Sequence, residues 1–362
     1  MITFWVNREG EFGVQNYRSH RGRAIADRFE ARAYEDIAGD SVSCSAGPQI
    51  FAGLDQVTPA QRELVGVLWD AHAKAAPHAP RLNDPRRVLL RFELLERLWE
   101  EGLNTFRVYR TDQADQVTRF PVFVRHIHRH NGPATRIVET PDELRWMLTA
   151  LRIRGRRMSD HMIVEYCDVS GPDRLYRKYA AFKVGQHIIP SHVFASPKWI
   201  VKSTQNEPTE ASVQEGLQFQ RENPHAAWLA KVFEIAGIDY GRVDYGVAAG
   251  VPQVWEINLN ATLGRAEGQS RHTQLPPALK ALRDSGRDIF HAQLRAAFLE
   301  LDLRPAEGRV DVPIEAALQA RLRREADELR RRQRVAGWLR RLYDAPLLNR
   351  PVRKLYSLLP RR

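Results

Sequence analysis

The stretch "RVDYGVAAGVPQVWEINLN", residues 242–260, decides how the chain is read. Two short apolar-rich runs flank a glycine-containing turn, and Arg242, Asp244, Glu256 and Asn258 stand where a plain strand would carry Thr or Val. Strand side chains alternate between faces, so Arg242 and Asp244 share one face while Val243 and Tyr245 take the other. The same rule groups Glu256 with Asn258, opposite Trp255 and Ile257. A turn at Ala249-Gly250-Val251, chosen because glycine supplies positive φ, sets Asp244 across from Glu256 and Arg242 across from Asn258. Opposed carboxylates repel, and a divalent cation would remove that cost. Mg²⁺ takes carboxylate and amide oxygens and is usually completed by phosphates. On geometry alone, a solvated hairpin face with Arg242 neutralising the acids competes with that reading.

At 362 residues the chain can hold two or three packed units, and its 43% hydrophobic content is that of an ordinary globular protein. No apolar run approaches the roughly 20 residues that span a bilayer. The opening "MITFWVNREGEF" lacks the basic and apolar regions of a secretory signal. Two cysteines, Cys44 and Cys167, point to reduced thiols in a cytoplasm. The formal charge of +11 is unevenly placed, because residues 303–362 hold 16 Lys+Arg against 7 Asp+Glu. The basic character therefore belongs to a tail.

Along the chain, "ITFWV" predicts a buried first strand, and "TPAQRELVGVLWDAHAKAA" a helix with Thr58 as N-cap and Pro59 at its first position. "NDPRRVLLRFELLERLWEEGLN" predicts a helix capped near Asn83 or Asp84 and stopped by Gly102. "RFPVFVRHIHR" alternates like a strand, and "TPDELRWMLTAL" opens on a capping box from Thr140 to Glu143. "HMIVEYCDV" and "RLYRKYAAFKVGQHIIP" read as strands joined at "SGPD", a hairpin signal, and the polar stretch Ser203 to Glu222 as a mobile loop or short helices. "NPHAAWLAKVFEIAG" predicts the helix that leads into the opening hairpin. The mixed order favours an α+β fold.

With these elements in place, the chain resembles the ATP-grasp superfamily over roughly residues 80 to 300. The most specific piece is "RVDYG…VWEINLN", which looks like that family's Arg-x-Asp and Glu-x-Asn strands. The resemblance implies Asp244, Glu256 and Asn258 as ligands of Mg²⁺ or Mn²⁺, and Arg242 as the catalytic cation on the transferring phosphoryl group. It implies ATP-phosphate cations at Arg125 in "FPVFVRH" and Arg91 in "RFELLERL", both commonly Lys in the family. "MIVEYCDV" resembles the hinge strand whose backbone recognises adenine, giving Glu165, Tyr166 and Cys167, and Lys178 is chosen over Arg177 as a further phosphate cation. The turn at residues 130–132 stands where a glycine loop would cover the phosphates, and "NLNATLG" departs from the usual Asn-x-x-Pro-Gly while leaving Asn260 and Gly264 as substrate-loop candidates.

Other groups admit more than one reading each. "HIHRH" could present His126, His128 and His130 to zinc, though a surface strand entering the phosphate loop accounts for it more simply. Cys167 as a nucleophile stands against an ordinary buried hinge thiol. "SPKWIVKST" could be a closing loop with Lys202 toward an anion, or a strand end with solvated lysines. The tail is helical, with Leu318, Leu322, Leu329 and Leu339 near one stripe. It either packs on the body or lies on an anionic membrane surface, with nucleic acid the weaker alternative.

The expectation is an α+β ATP-grasp fold: an N-terminal α/β domain at 1–85, subdomains at 86–158 and 159–302, and a basic helical extension at 303–362. The function implied is cytoplasmic ATP- and Mg²⁺-dependent ligation of a small-molecule or peptide carboxylate to an amine, at the membrane periphery if the tail binds there. The alternatives are a small-molecule kinase on the same scaffold, or a non-catalytic nucleotide-binding protein with a binding tail.

Overall fold

The computed structural model describes residues 1–37, 39–129, 132–203, 206–263, 275–303 and 308–344. Its N-terminal part is built on a four-stranded sheet of order β2-β1-β4-β5, all parallel. The strands are β1 (Ile2–Val6), β2 (Phe29–Ala33), β4 (Gln49–Phe51) and β5 (Arg81–Leu82). Every residue of β1 is buried, as a central parallel strand requires. Helix α1 (Arg8–Ser19) is capped by Asn7, whose side chain accepts from Gly10 N. Helix α2 (Pro59–Ala75) opens on the expected Thr58 cap, closed into a capping box by Gln61. Strand β3 (Ser41–Ser45) pairs antiparallel with a late strand, β13 (Arg309–Pro313).

Two further sheets follow. The first, of order β6-β8-β7, joins β6 (Val108–Arg110), β7 (Val122–His126) and β8 (His161–Glu165), with helices α3 (Arg91–Glu100) and α4 (Pro141–Ile153). The second, of order β10-β9-β11-β12, is antiparallel throughout and joins β9 (Tyr176–Val184), β10 (His187–Ser196), β11 (Tyr240–Ala248) and β12 (Val251–Asn258). Helices α5 (Glu210–Glu222) and α6 (Ala226–Ala236) accompany it. The long helix α7 (Pro277–Leu301) buries Phe290, Leu294 and Phe298 in one core with Ile2, Phe4 and Phe29 of the first sheet and Phe182 of the third. This is the α+β arrangement that the resemblance implied.

Four local expectations are corrected. The helix predicted from Asn83 begins only at Arg91. Asn83 instead has a φ of 70° and is fully buried, donating to Phe51 O and Tyr240 O and accepting from Asp239 N and Tyr240 N. Those four bonds hold 83–90 as a connection, a tertiary demand that helix propensity does not register. The polar stretch after Ser203 contains a regular 13-residue helix, α5, set by a Thr209 cap and by burial of Val213, Leu217 and Phe219. The strand read through "KVGQHIIP" folds back on itself at Gly185, φ 58°, into the β9–β10 hairpin. The two strands joined at "SGPD" do not pair as a hairpin, because β8 pairs with β6 and β7 while β9 pairs with β10 and β11.

The tail is more than a helical extension. After β13, helix α8 (Ala316–Asp344) buries Leu318 and packs Leu322 against the main core. Glu325 accepts from Ala60 N at the start of α2, and Arg321 pairs with Glu63. Its first turns are thus docked on the body, whereas residues 345–362 lie outside the described residues.

One buried group on α7 makes a testable consequence of this packing. The His291 ring stacks near Tyr17 of α1, its Nδ1 is buried with no hydrogen-bond partner among the described residues, and burial, aided by Arg21 and Arg287, pushes its pKa down to about 4. Unfolded, the ring titrates near the ordinary value of about 6.5. Between those values the unfolded chain holds a proton that the folded chain does not, so stability is full above the upper value and falls as pH drops through the window. His291→Phe is expected to flatten the acid slope of urea-unfolding free energy between pH 6.5 and 4 by up to about 1.4 kcal/mol per pH unit. An unchanged slope would show that His291 titrates normally.

Candidate functional site

The opening hairpin is β11–β12, with Arg242 opposite Asn258, Val243 opposite Ile257 and Asp244 opposite Glu256. Its turn differs from the expected one. It is the two-residue Ala249-Gly250, with φ of 48° and 82°, which sets Ala248 opposite Val251. Two positive φ values are the mark of the tight turn whose twist matches that of the strands. Such a turn alone would bring Trp255 opposite Asp244. A one-residue bulge intervenes, because Tyr245 pairs with Val254 and Asp244 with Glu256. Strict alternation about Trp255 is therefore broken: Val254 goes with Tyr245 into the core, while Glu256 goes with Asp244. Trp255, left over by the bulge, stacks on Phe106 at 5.3 Å.

Each carboxylate is held by two cations. Lys178 Nζ lies 3.1 Å from Asp244 Oδ2, and Arg242 Nε lies 2.8 Å from Oδ1. Lys178 sits on β9 one pleat from Ala180, the partner of Asp244, which is why it reaches this face. Arg177 points the other way, to Asp173 and Glu215. Glu256 Oε2 accepts from Arg91 Nη2 at 2.5 Å and from Arg125 Nη2 at 2.8 Å. Arg91 stands at the first residue of α3 and also donates to the carbonyls of His126, Ile127 and Arg129. Two sheets and one helix start thus converge on two carboxylates.

The electrostatics follow from burial. Burial pushes the Asp244 carboxyl upward, but Arg242 and Lys178 more than offset it and hold the group below the usual carboxylate range. Arg91 is pushed down to about 10 by burial, with Glu256 opposing that shift. Four cations against two carboxylates leave an excess of two positive charges. Arg125 Nε is buried with no hydrogen-bond partner among the described residues. Such a face suits a polyanion. Asp244, Glu256 and the Asn258 amide also provide the oxygen donors that Mg²⁺ or Mn²⁺ prefers. Among the described residues no group of three or more His, Cys, Asp or Glu side chains is placed to hold a metal, so any ion here would need the Asn258 amide, water or phosphate oxygens.

Beyond Asn258 the chain is tied to the N-terminal part. Asn258 Oδ1 accepts from Asn260 N at 2.9 Å, and Asn260 Nδ2 donates to Asn7 Oδ1 at 3.2 Å. Gly10 makes that approach feasible, since a methyl group there would stand 2.0 Å from Asn260 Nδ2. Gly264 lies outside the described residues.

The other expected residues are placed as follows. Glu165 is buried at the end of β8, accepting from Arg107 N at 3.0 Å and Tyr109 Oη at 2.9 Å. Tyr166 donates its backbone N–H to Pro121 O, and its ring meets Trp199 edge-on at 5.9 Å. Trp199 also packs on Phe123 of β7 at 5.1 Å, so the segment after β10 reaches across to the β6-β8-β7 sheet. Lys202 is exposed, and a side chain at Gly132 would meet its Nζ at 3.5 Å. Cys167 is buried and its thiol is raised by burial, the opposite of an activated nucleophile. His126 accepts from His128 N and Arg129 N through Nδ1, while His130 and Asn131 lie outside the described residues.

Sequence reasoning missed His192 and Phe194. They stand on β10 opposite Ala180 and Lys178 and therefore face the site. Phe194 lies under the Lys178 ammonium at 5.7 Å, and burial, with Arg242 and Lys178, pushes His192 down to about 3. The alternation in "HVF" carried the signal, but only the β9–β10 register says which face it joins.

Removing one partner of a buried ion pair leaves the other uncompensated, at a cost of about 3–5 kcal/mol. Glu256→Ala is accordingly expected to lower the urea-unfolding free energy by about 3 kcal/mol or more, with Arg125→Lys costing less. A loss below about 1 kcal/mol for Glu256→Ala would mean that both arginines are solvated.

No protein-family model and no curated protein sequence matches the chain. Among solved structures it is similar to D-alanine–D-alanine ligase from Bacillus anthracis complexed with ATP, with a TM-score of 0.45 and 14% identity over 84% of this chain and 98% of that one. It is similar to the RimK domain protein ATP-grasp from Sphaerobacter thermophilus, with a TM-score of 0.44 and 14% identity over 83% and 100%. A third likeness is to the ATP-grasp ligase PsnB complexed with a phosphomimetic variant of minimal precursor, Mg and ADP, with a TM-score of 0.45 and 13% identity over 78% and 97%. At this level of likeness the reading of the site rests on its own charges and distances.

Proposed function

We propose that this chain is an ATP-grasp ligase that joins a carboxylate to an amine at the expense of ATP. The observation that supports it most is the pairing of Asp244 and Glu256 with four cations from β9, β11, α3 and β7. In the proposed reaction a substrate carboxylate oxygen bonds to the γ-phosphorus as the bond to ADP breaks. The amine nitrogen then bonds to the acyl carbon, phosphate leaves, and the nitrogen gives up a proton. Phosphoryl transfer is mostly a matter of position and charge, which is what fixed guanidinium and ammonium groups supply.

Within this reading Arg242 stabilises the charge that develops on the transferring group. Arg91, Arg125 and Lys178 place the phosphates, exchanging carboxylate partners for phosphate oxygens. Asp244, Glu256 and Asn258 would hold Mg²⁺, which when bound neutralises phosphate oxygens. The segment around Tyr166 and Cys167 is the adenine side, and Lys202 and Asn260 approach from the substrate side. A kinase on the same scaffold would release ADP without phosphate, which separates the two chemistries. For the tail, docking of α8 on α2 favours a structural role for its first turns.

The test is the melting shift with ATP plus Mg²⁺ against ATP plus chelator. Ligand at about 100 times its dissociation constant should stabilise the fold by about 2.7 kcal/mol. Asn258→Ala, which breaks no ion pair, is expected to fold normally and to lose most of the Mg²⁺-dependent part. No shift in the wild-type protein at millimolar MgATP would overturn the nucleotide reading. Equal release of ADP and phosphate, dependent on both a carboxylate and an amine, would separate ligase from kinase.

A further inference from the structure

Helix α4 buries one side and leaves the other uncovered. Leu144, Met147, Leu148 and Leu151 enter the core of the β6-β8-β7 sheet. Trp146, Thr149, Ala150 and Ile153, spaced by three, four and seven residues, form a stripe on another face. Trp146 is 49% exposed, and Ile153, at 76%, is the most exposed large hydrophobic side chain among the described residues. Arg145, Arg152, Arg156 and Arg157 are exposed beside and beyond this stripe.

The charge is lopsided along the helix. Its acids, Asp142 and Glu143, lie in the first turn and are paired with Arg145 and Arg136. Arg152, Arg156 and Arg157, at and after the last turn, have no ion pair among the described residues. The contrast with α8 is instructive, since that helix is also basic but spends Leu318 and Leu322 on the main core. On α4 exposed apolar side chains and uncompensated positive charge coincide.

We propose that this face of α4 docks the protein on an anionic lipid surface. Trp146 and Ile153 enter the boundary between headgroups and acyl chains, and the arginines meet the anionic headgroups while their stems lie along the apolar layer. A nucleic acid would use the arginines and Trp146 but would take Ile153 only as a wedge between bases, at the cost of unstacking them. A flat bilayer accepts both. The contact is reversible, because two apolar anchors and a few charges fall far short of an inserted helix. The described residues contain no helix long and apolar enough to cross a membrane.

Co-sedimentation of the full chain with vesicles tests this. Binding is expected to phosphatidylserine–phosphatidylcholine vesicles at low salt and not to phosphatidylcholine alone. The pairs Trp146→Ser with Ile153→Ser, and Arg152→Glu with Arg156→Glu, are each expected to reduce partitioning about tenfold or more with an unchanged melting temperature. Absence of wild-type binding at low salt would overturn the proposal. So would undiminished binding by both variants, which would assign the lipid contact to the basic tail. Self-association that the variants abolish, without vesicle binding, would show a second copy of the chain as the occupant.

Discussion

Two carboxylates face each other across one hairpin, and much of the molecule is arranged around that fact. Asp244 and Glu256 would repel in a bare β-ladder. They are tolerated because four cations converge on them from β9, β11, α3 and β7. Two of those cations come from beyond the third sheet, so the ion pairs also fasten it to the β6-β8-β7 unit. The bulge at Trp255 is part of the same constraint. Without it Val254 and Glu256 would share a face, and either an aliphatic side chain would leave the core or a carboxylate would enter it.

The arrangement is held by over-determination more than by the strength of any one pair. Desolvating an ion pair costs several kcal/mol per charge and is recovered only where further hydrogen bonds satisfy the remaining donors. Arg91 meets that condition through three backbone carbonyls. Arg125 meets it less well, because Glu256 is the only partner its guanidinium shows among the described residues. In the proposed reaction these cations would turn from carboxylate to phosphate oxygens, so the least satisfied of them is the one with most to gain. Structure and function are linked here by the same excess of positive charge.

The N-terminal part is joined to this centre by amides. Asn83 ties Phe51 to β11 through four hydrogen bonds, and Asn7 holds Asn260 just beyond β12. The pairing of β3 with β13 and the packing of α8 on α2 close the structure from the other end of the chain. Elements of the N-terminal part and of the last described segment therefore stabilise one another, although they are far apart in sequence.

Local patterns in the sequence determined a good deal. Alternation in "RVDYG" and "WEINLN" was sufficient to group Arg242 with Asp244 and Glu256 with Asn258, and Thr58-Pro59 and Thr140 marked two helix starts through cap chemistry. Those features depend on neighbours a few residues away, so they are legible in the string itself. Only the tertiary structure decided the two-residue turn with its bulge, the late start of α3, the inward side of β10 with His192 and Phe194, and the return of the chain at β13. Each of these depends on a partner distant in sequence: Asn83 on Tyr240, Val254 on the core, Lys178 on Asp244, Val310 on Cys44. A residue's identity states which bonds it can make, and the packed fold chooses among them, because burial makes an unsatisfied alternative too costly.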